Sequence, residues 1–152
     1  MGIRLTTQQI GKAGELLVQY ELLVCGIESS QLTTDAGIDL VAYSSSRSKP
    51  MTIQVKTNLK PKPGGGRGKP ALDWWLPEDS PATLVAFVDL SETRFWLFKT
   101  REVAKLAQQH SGARHHLYMW CDSSVKSRGS RPSRVEDFVS YLAVNRIPEL
   151  FL

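Results

Sequence analysis

The sequence predicts an α/β domain with a mixed β-sheet and helices on its flanks. Three observations carry this. A long helical pattern opens the chain, two strand patterns follow it, and a later pair of apolar runs leads into further helical stretches. At 152 residues the chain has the length of one domain and can bury one core, so residues 1–152 are expected to fold as a unit.

The first element runs from about Thr7 to Cys25. Leu16, Leu17, Val18, Leu22, Leu23 and Val24 make it apolar, and Gly26 is a natural stop. Gln8, Lys12, Glu15 and Gln19 form a polar stripe along one face, which puts Glu15 on a wet edge. Ile27 to Thr33 then reads as a short strand, and Asp35-Ala36-Gly37 as a turn. Ile38 to Tyr43 is an apolar strand with one carboxylate, Asp39, inside it. Met51 to Asn58 alternates: Met51, Ile53, Val55 and Thr57 face one way, Thr52, Gln54, Lys56 and Asn58 the other. A hairpin is the natural way to join the two.

The stretch from about 60 to 70, with three prolines and four glycines, reads as a flexible basic loop. Order resumes at Leu72-Asp73-Trp74-Trp75-Leu76. Leu84 to Leu90 and Arg94 to Lys99 are strand candidates. Thr100 is placed to cap a helix reaching about Gln109, and His116 to Cys121 suggests a further strand. Residues 123–133 form a Ser/Arg-rich loop. Val135 to about Val144 reads as a helix capped by Ser133 or entered through Arg134. No internal repeat is visible.

The composition is that of an ordinary globular protein, 41% hydrophobic and 22% charged. No apolar run nears the roughly 18 residues that span a bilayer, and no signal-peptide pattern opens the chain, so a cytoplasmic protein is expected. Cys25 and Cys121 match neither a zinc spacing nor a CxxC pair and are expected to be buried free thiols. His110, His115 and His116 lack a matching carboxylate motif and are expected to be surface residues. Trp74, Trp75, Trp96 and Trp120 are expected mostly in packing, with Trp74 or Trp75 a candidate for stacking on bases.

Charge is segregated. No acidic residue lies between Asp39 and Asp73, whereas Arg47, Lys49, Lys56, Lys60, Lys62, Arg67 and Lys69 all do; Lys126, Arg128, Arg131 and Arg134 form a second basic stretch. Such segregation attracts a polyanion, since neutralised phosphates release counterions. A solvated basic loop that keeps the protein soluble is the plainer reading.

The chemistry centres on Asp39, followed after fourteen residues by Gln54-Val55-Lys56. If the two strands are neighbours, Asp39 lies near the face that Gln54 and Lys56 share. Burying a lone carboxylate or ammonium in apolar surroundings is costly. The pair could offset each other as a structural ion pair, or both could serve a site.

The arrangement resembles the PD-(D/E)XK nuclease superfamily, of restriction-endonuclease-like and junction-resolvase-like proteins. The residues that carry the resemblance are Gly11-Lys12-Ala13-Gly14-Glu15 on the helix, Gly37-Ile38-Asp39-Leu40 on the first hairpin strand and Ile53-Gln54-Val55-Lys56-Thr57 on the second. The resemblance implies a restriction-endonuclease-like domain with an α-β-β-β-α-β core. It also implies a metal-dependent DNA endonuclease whose catalytic residues are Glu15, Asp39, Gln54 and Lys56. Mg²⁺, with Mn²⁺ as a substitute, would be held by Asp39, Glu15, the Gln54 oxygen and the Val55 backbone carbonyl. Lys56 would orient the attacking water and hold the scissile phosphate. Gln54 departs from the usual Asp or Glu, which implies weaker metal affinity. Lys60, Lys62, Arg67, Lys69, Lys126, Arg128 and Arg131 would contact nucleic acid.

The family's habits imply a homodimer or homotetramer and no membrane partner. The apolar end Ile147 to Leu152 is open to two readings, a contact surface or part of the chain's own core. Restriction-like, homing and junction-resolving activities all fit. A catalytically inactive nucleic-acid-binding module is the alternative, and an RNA-cutting enzyme a third reading.

Overall fold

The computed structural model describes residues 2–34, 36–46, 49–126, 129 and 131–152. Asp35, Arg47 and Arg128, each singled out in the sequence, lie outside the described residues. Helix α1 spans Thr7–Val24 and is opened by Thr6, whose hydroxyl accepts the Gln9 N–H while the Gln9 side chain accepts the Thr6 N–H. Strands β1 (Glu28–Gln31), β2 (Leu40–Tyr43) and β3 (Met51–Asn58) follow. Next come β4 (Lys62–Pro63), a 3-10 turn at Gly64–Gly66, β5 (Pro70–Pro77), β6 (Leu84–Asp89) and β7 (Arg94–Lys99). Helix α2 (Thr100–Leu106), strands β8 (Gln109–Ser111) and β9 (Arg114–Trp120), a 3-10 segment (Val135–Tyr141) and helix α3 (Ala143–Phe151) complete the order.

The strands form two sheets. One runs β1-β2-β3-β6-β7, and it is mixed because β3 and β6 pair in parallel while the other neighbours are antiparallel. The other runs β4-β5-β9-β8 and is antiparallel. Period-two alternation explains the layering. Leu84, Ala86, Val88, Phe95 and Leu97 point from β6 and β7 toward α1 and α3, where Val18, Leu22, Ile147, Leu150 and Phe151 meet them. The intervening residues Val85, Phe87, Trp96 and Phe98 point the other way, onto Leu72, Trp74, Leu76, Leu117 and Met119 of the second sheet. Strand β6 is buried along its whole length, which is why it reads as one continuous apolar run.

The mixed central sheet with flanking helices is the architecture expected. Several details differ. Among the described residues the crossover between the parallel strands β3 and β6 contains no α-helix and passes instead through β4 and β5 of the second sheet. The 60–70 stretch is partly regular: β4 pairs with β5, and Gly64 N–H bonds to the Lys69 carbonyl. Helix α2 starts at Thr100 rather than being capped by it. The Glu102 carboxylate accepts the Lys99 N–H, and the Thr100 hydroxyl donates to Ala82. It ends at Leu106 because Ala107 turns to extended geometry, releasing 109–111 to pair with β9. The last helical stretch is split at the extended residue Leu142.

The C-terminal residues Ile147, Leu150 and Phe151 are core, so that segment packs within its own chain; Leu152 is exposed. Cys25 and Cys121 are free, as expected, but exposed rather than buried, one closing α1 and the other just beyond β9. Among the described residues no helix is long and apolar enough to cross a membrane.

Arg146 locks α3 in place. Its side chain is 5% exposed; Nε donates to the Leu97 carbonyl at 3.0 Å, and Nη2 meets Glu102 at 2.6 Å. Removing one partner of a fully buried pair costs about 3–5 kcal/mol, and Glu102 is still 26% exposed, so part of that cost is relieved by water. Arg146→Met keeps most of the volume and is expected to lower unfolding free energy by about 2 kcal/mol, as a urea titration would measure.

Candidate active site

The candidate site lies where β2 and β3 part. Their ladder pairs Ala42 with Met51, Val41 with Thr52 and Leu40 with Ile53. One residue further, Asp39 N–H donates to the Ile53 carbonyl at 2.9 Å. The pairing then changes character, because Oδ2 of Asp39 accepts the Val55 N–H at 2.6 Å. A side chain thus takes over where the backbone of β2 has left. Gly37 explains the departure. Its φ of 83° belongs to the left-handed region, and a Cβ there would stand 2.9 Å from Pro81. Only glycine turns the chain away at that point without strain.

Strand alternation supplies the rest of the geometry. The Asp39 N–H bond to Ile53 already departs from the ladder register, and the Asp39 carboxylate lies at the flank of β3, against the Val55 N–H between Gln54 and Lys56. Val55, two residues beyond Ile53, turns its backbone groups to the same flank of β3, so its carbonyl looks into the gap that β2 vacates. Gln54 is buried, with its side-chain oxygen accepting the Ser80 hydroxyl at 2.6 Å. Asn58, on the same face, donates to the Asp73 carbonyl at 2.7 Å. Lys56 sits between these two anchors, half-buried, and makes no hydrogen bond or ion pair with a described residue. The Asp39–Lys56 ion pair of the structural reading is not formed.

Glu15 is placed differently. Gly14 packs against Thr57 of β3, and this close approach brings α1 down onto the sheet one residue from Glu15. The Glu15 carboxylate, however, pairs with Lys12 Nζ at 2.7 Å, and Lys12 also donates to Gln31 of β1. Gln31 is the register partner of Leu40, so Glu15 faces the Asp39 end of the hairpin without bonding to Asp39, Gln54 or Lys56. The structure therefore sets Asp39 against the Val55 backbone, with Gln54 and Lys56 on either side of Val55 along β3, and leaves Glu15 paired with Lys12 at their margin.

The donors suit a hard divalent cation. They are two carboxylates, an amide oxygen and a backbone carbonyl, all oxygen, which is what Mg²⁺ takes while keeping several waters. A carboxylate offers about four lone-pair sites, so the Val55 bond does not exhaust Asp39. Among the described residues no three of His, Cys, Asp and Glu group as an all-protein metal cage. A site of few protein ligands is the form these residues allow.

The basic residues fall in two places. Lys62, Arg67 and Lys69 lie on the β4–β5 turn, with Lys60 just before it. Lys126 and Arg131 flank the second loop, and Arg131 donates to the Ala107 carbonyl at 2.6 Å, which gives it a structural duty as well. The two loops are tethered. Lys69 Nζ lies 3.1 Å from Asp122, whose carboxylate also accepts the Ser124 hydroxyl and N–H. The Ser124 hydroxyl foremost, then its N–H and Lys69, hold the Asp122 carboxyl at about 2. Because this value is depressed, the tether is complete above the ordinary carboxylate value of about 4 and is lost as pH falls through about 2. An NMR titration is expected to show that midpoint, with Ser124→Ala and Lys69→Ala each raising it.

Sequence reasoning missed one constellation. Asp73 Oδ2 lies 2.8 Å from Nε2 of His116, and Nδ1 of the same ring lies 3.0 Å from the Gln109 side-chain oxygen. Trp75 stacks on His116 with centroids 4.0 Å apart, and the Arg114 guanidinium lies 4.6 Å over Trp75. The available signal was alternation: Asp73 and Trp75 sit between Leu72, Trp74 and Leu76, which are buried.

These elements and their order match a restriction-endonuclease-like fold. The same fold is seen in the bacterial homing endonuclease I-Ssp6803I, which superposes with a TM-score of 0.59 over 97% of this chain and 92% of that one. The two are 14% identical, a likeness of fold alone. No protein-family model and no curated protein matches the chain by sequence.

Proposed function

We propose that the chain is a metal-dependent DNA endonuclease hydrolysing phosphodiester bonds through Asp39, Gln54 and Lys56, with Glu15 in support. The observation that carries this reading is Lys56, a half-buried ammonium without an ion partner among the described residues, one residue along β3 from the backbone N–H that the Asp39 carboxylate holds. A charge kept at that cost fits a residue whose partner is the substrate.

Asp39, the Val55 carbonyl and the Gln54 oxygen would hold Mg²⁺ or Mn²⁺. When bound, the ion supplies Lewis acidity at the phosphate and a water ionisable near neutral pH. Lys56 would hold the scissile phosphate and orient the attacking water. Glu15 would contribute through water or on leaving Lys12. Lys60, Lys62, Arg67, Lys69, Lys126 and Arg131 would contact the phosphate backbone, which positions without reading sequence. The restriction-like, homing and junction-resolving subtypes share this chemistry, and the fold likeness to a homing endonuclease brings that subtype among them.

One such site cuts one strand, so cutting a duplex through calls for a homodimer or homotetramer. The C-terminal end is committed to the core, whereas α1 exposes Leu16, Tyr20 and Leu23 at helical spacing, and that stripe is the surface we assign to it. A second reading, an inactive nucleic-acid-binding module, draws on Glu15 being engaged by Lys12 and Gln54 by Ser80.

The test is incubation of the purified protein with supercoiled plasmid, a four-way junction and folded RNA, in Mg²⁺, Mn²⁺ or EDTA. Metal-dependent cutting supports the nuclease, and the preferred substrate sets the subtype. Folded protein that cuts nothing in either metal would leave the binding module.

A further inference from the structure

The outward face of the second sheet is unlike the outward face of most antiparallel sheets, which is polar. On β9 the outward positions are Arg114, His116, Tyr118 and Trp120, and on β5 they include Trp75. Rings follow one another along the face: Trp75 on His116, His116 to Tyr118 at 5.8 Å, Tyr118 to Trp120 at 5.9 Å. These rings are half-buried, and Arg114 above Trp75 is exposed. His116 is fixed from both sides, because its two ring nitrogens lie against Asp73 of β5 and Gln109 of β8. A planar guanidinium held over a fixed indole is a stacking plate whose ordering cost is already met.

Charge around the face points to one kind of occupant. The β4–β5 turn, with Lys62 and Arg67, adjoins it through Gly64, which packs so tightly on Trp120 that a Cβ would overlap the ring. The acids there are engaged, Asp73 with His116 and Asp122 with Lys69. Aromatic and guanidinium planes bordered by phosphate-binding cations are how proteins hold unpaired nucleic acid.

We propose that this face binds an unpaired stretch of nucleic acid, with bases stacked on Arg114, Tyr118 and Trp120 and phosphates on the basic turn. The strand that carries Trp75 is tied to the strand of the candidate active site, through the Asn58 bond to the Asp73 carbonyl and the Ser80 bond to Gln54. Binding at this face requires no cleavage and stands apart from the nuclease reading.

The experiment is fluorescence anisotropy of the intact protein, in EDTA and at one salt concentration, with labelled oligothymidine, oligouridine and a blunt duplex of equal length. Single strands are expected to bind more tightly than duplex. Arg114→Gln and Tyr118→Ala should weaken single-strand binding by about tenfold each and duplex binding far less. Lys62→Ala should weaken both. Arg114 is exposed, so its variant reports even where an aromatic variant fails to fold. Preference for oligouridine or oligothymidine separates RNA from DNA. Equal affinity for strand and duplex, unmoved by Arg114→Gln and Tyr118→Ala, would overturn the proposal. Plasmid cutting is scored in parallel: cutting retained with indifferent binding rejects this face alone, and binding retained without cutting rejects the nuclease alone.

Discussion

Asp39→Asn is expected to lower plasmid cleavage at least a hundredfold while leaving the melting temperature within about two degrees. The two halves of this expectation have separate causes. An asparagine oxygen can still accept the Val55 N–H now taken at 2.6 Å, so the strand junction keeps its hydrogen bond. What is lost is the negative charge, and a neutral amide is a far weaker partner for a divalent ion; losing one preorganised electrostatic contribution of this kind costs about 10²–10³ in rate. Lys56→Ala gives the complementary result. With no ion partner for Lys56 among the described residues, its removal orphans no charge, and stability is kept or raised as a desolvated ammonium disappears. Cleavage falls by a similar factor. Had Asp39 and Lys56 been a structural pair, each single variant would have destabilised the fold. Single-turnover cleavage and thermal unfolding on the same preparations decide between these outcomes. A clear drop in melting temperature with cleavage intact would return both residues to structure.

Much of this site is legible in the sequence because it depends on local alternation. Strand β3 begins and ends where its pattern does, at Met51 and Asn58, and its period alone places Gln54 and Lys56 on one face. The Lys12–Glu15 pair is legible too, from its spacing on a helix. What local pattern cannot supply is the partner from a distant segment. Ser80 reaches Gln54 across 26 residues and His116 reaches Asp73 across 43. For the same reason β8 is hidden. Gln109 to Ser111 looks like a fraying helix end until β9 offers it hydrogen bonds, while the Gln108 side chain is bound to the Tyr118 backbone. The C-terminal helix is obscured by Pro148 inside it, and its anchor, Arg146, is a charge buried where composition would put it at the surface. The crossover through β5 is hidden more deeply. An apolar run of that length fits a strand of either sheet, and only the packing of Leu72, Trp74 and Leu76 on Phe87 and Phe98 fixes which one.

Gly14→Ala sets two opposing effects against each other, and their magnitudes decide the result. Gly14 lies inside α1, where alanine is the better helix former by about 1 kcal/mol. Propensity alone therefore predicts a more stable protein. But the new Cβ would overlap the Thr57 hydroxyl and stand 2.9 Å from both Cβ and Cγ2 of that residue. Thr57 is held in β3 by its parallel pairing with Val88 of β6, and its Cβ is fixed to that backbone, so it cannot swing away as the end of a long side chain would. Overpacking of this kind costs about 1–3 kcal/mol, sometimes more. Contact with a fixed Cβ puts the present case at the upper end, and the net expectation is a loss of about 2 kcal/mol. The helix yields by moving off the sheet, which carries Glu15 away from the hairpin that bears Asp39. A displacement near an ångström is enough to lower an enzymatic rate about a hundredfold. Thr57→Ala is the informative second substitution. The Thr57 hydroxyl is buried without a hydrogen-bond partner, so deleting it alone is nearly neutral. In the double variant the worst overlap disappears, and part of the stability and cleavage should return, giving a favourable coupling of about 1 kcal/mol in a double-mutant cycle. If Gly14→Ala instead melts at or above the parent temperature, helix propensity has outweighed the contact. The seating of α1 on β3 would then not depend on a bare backbone at that position.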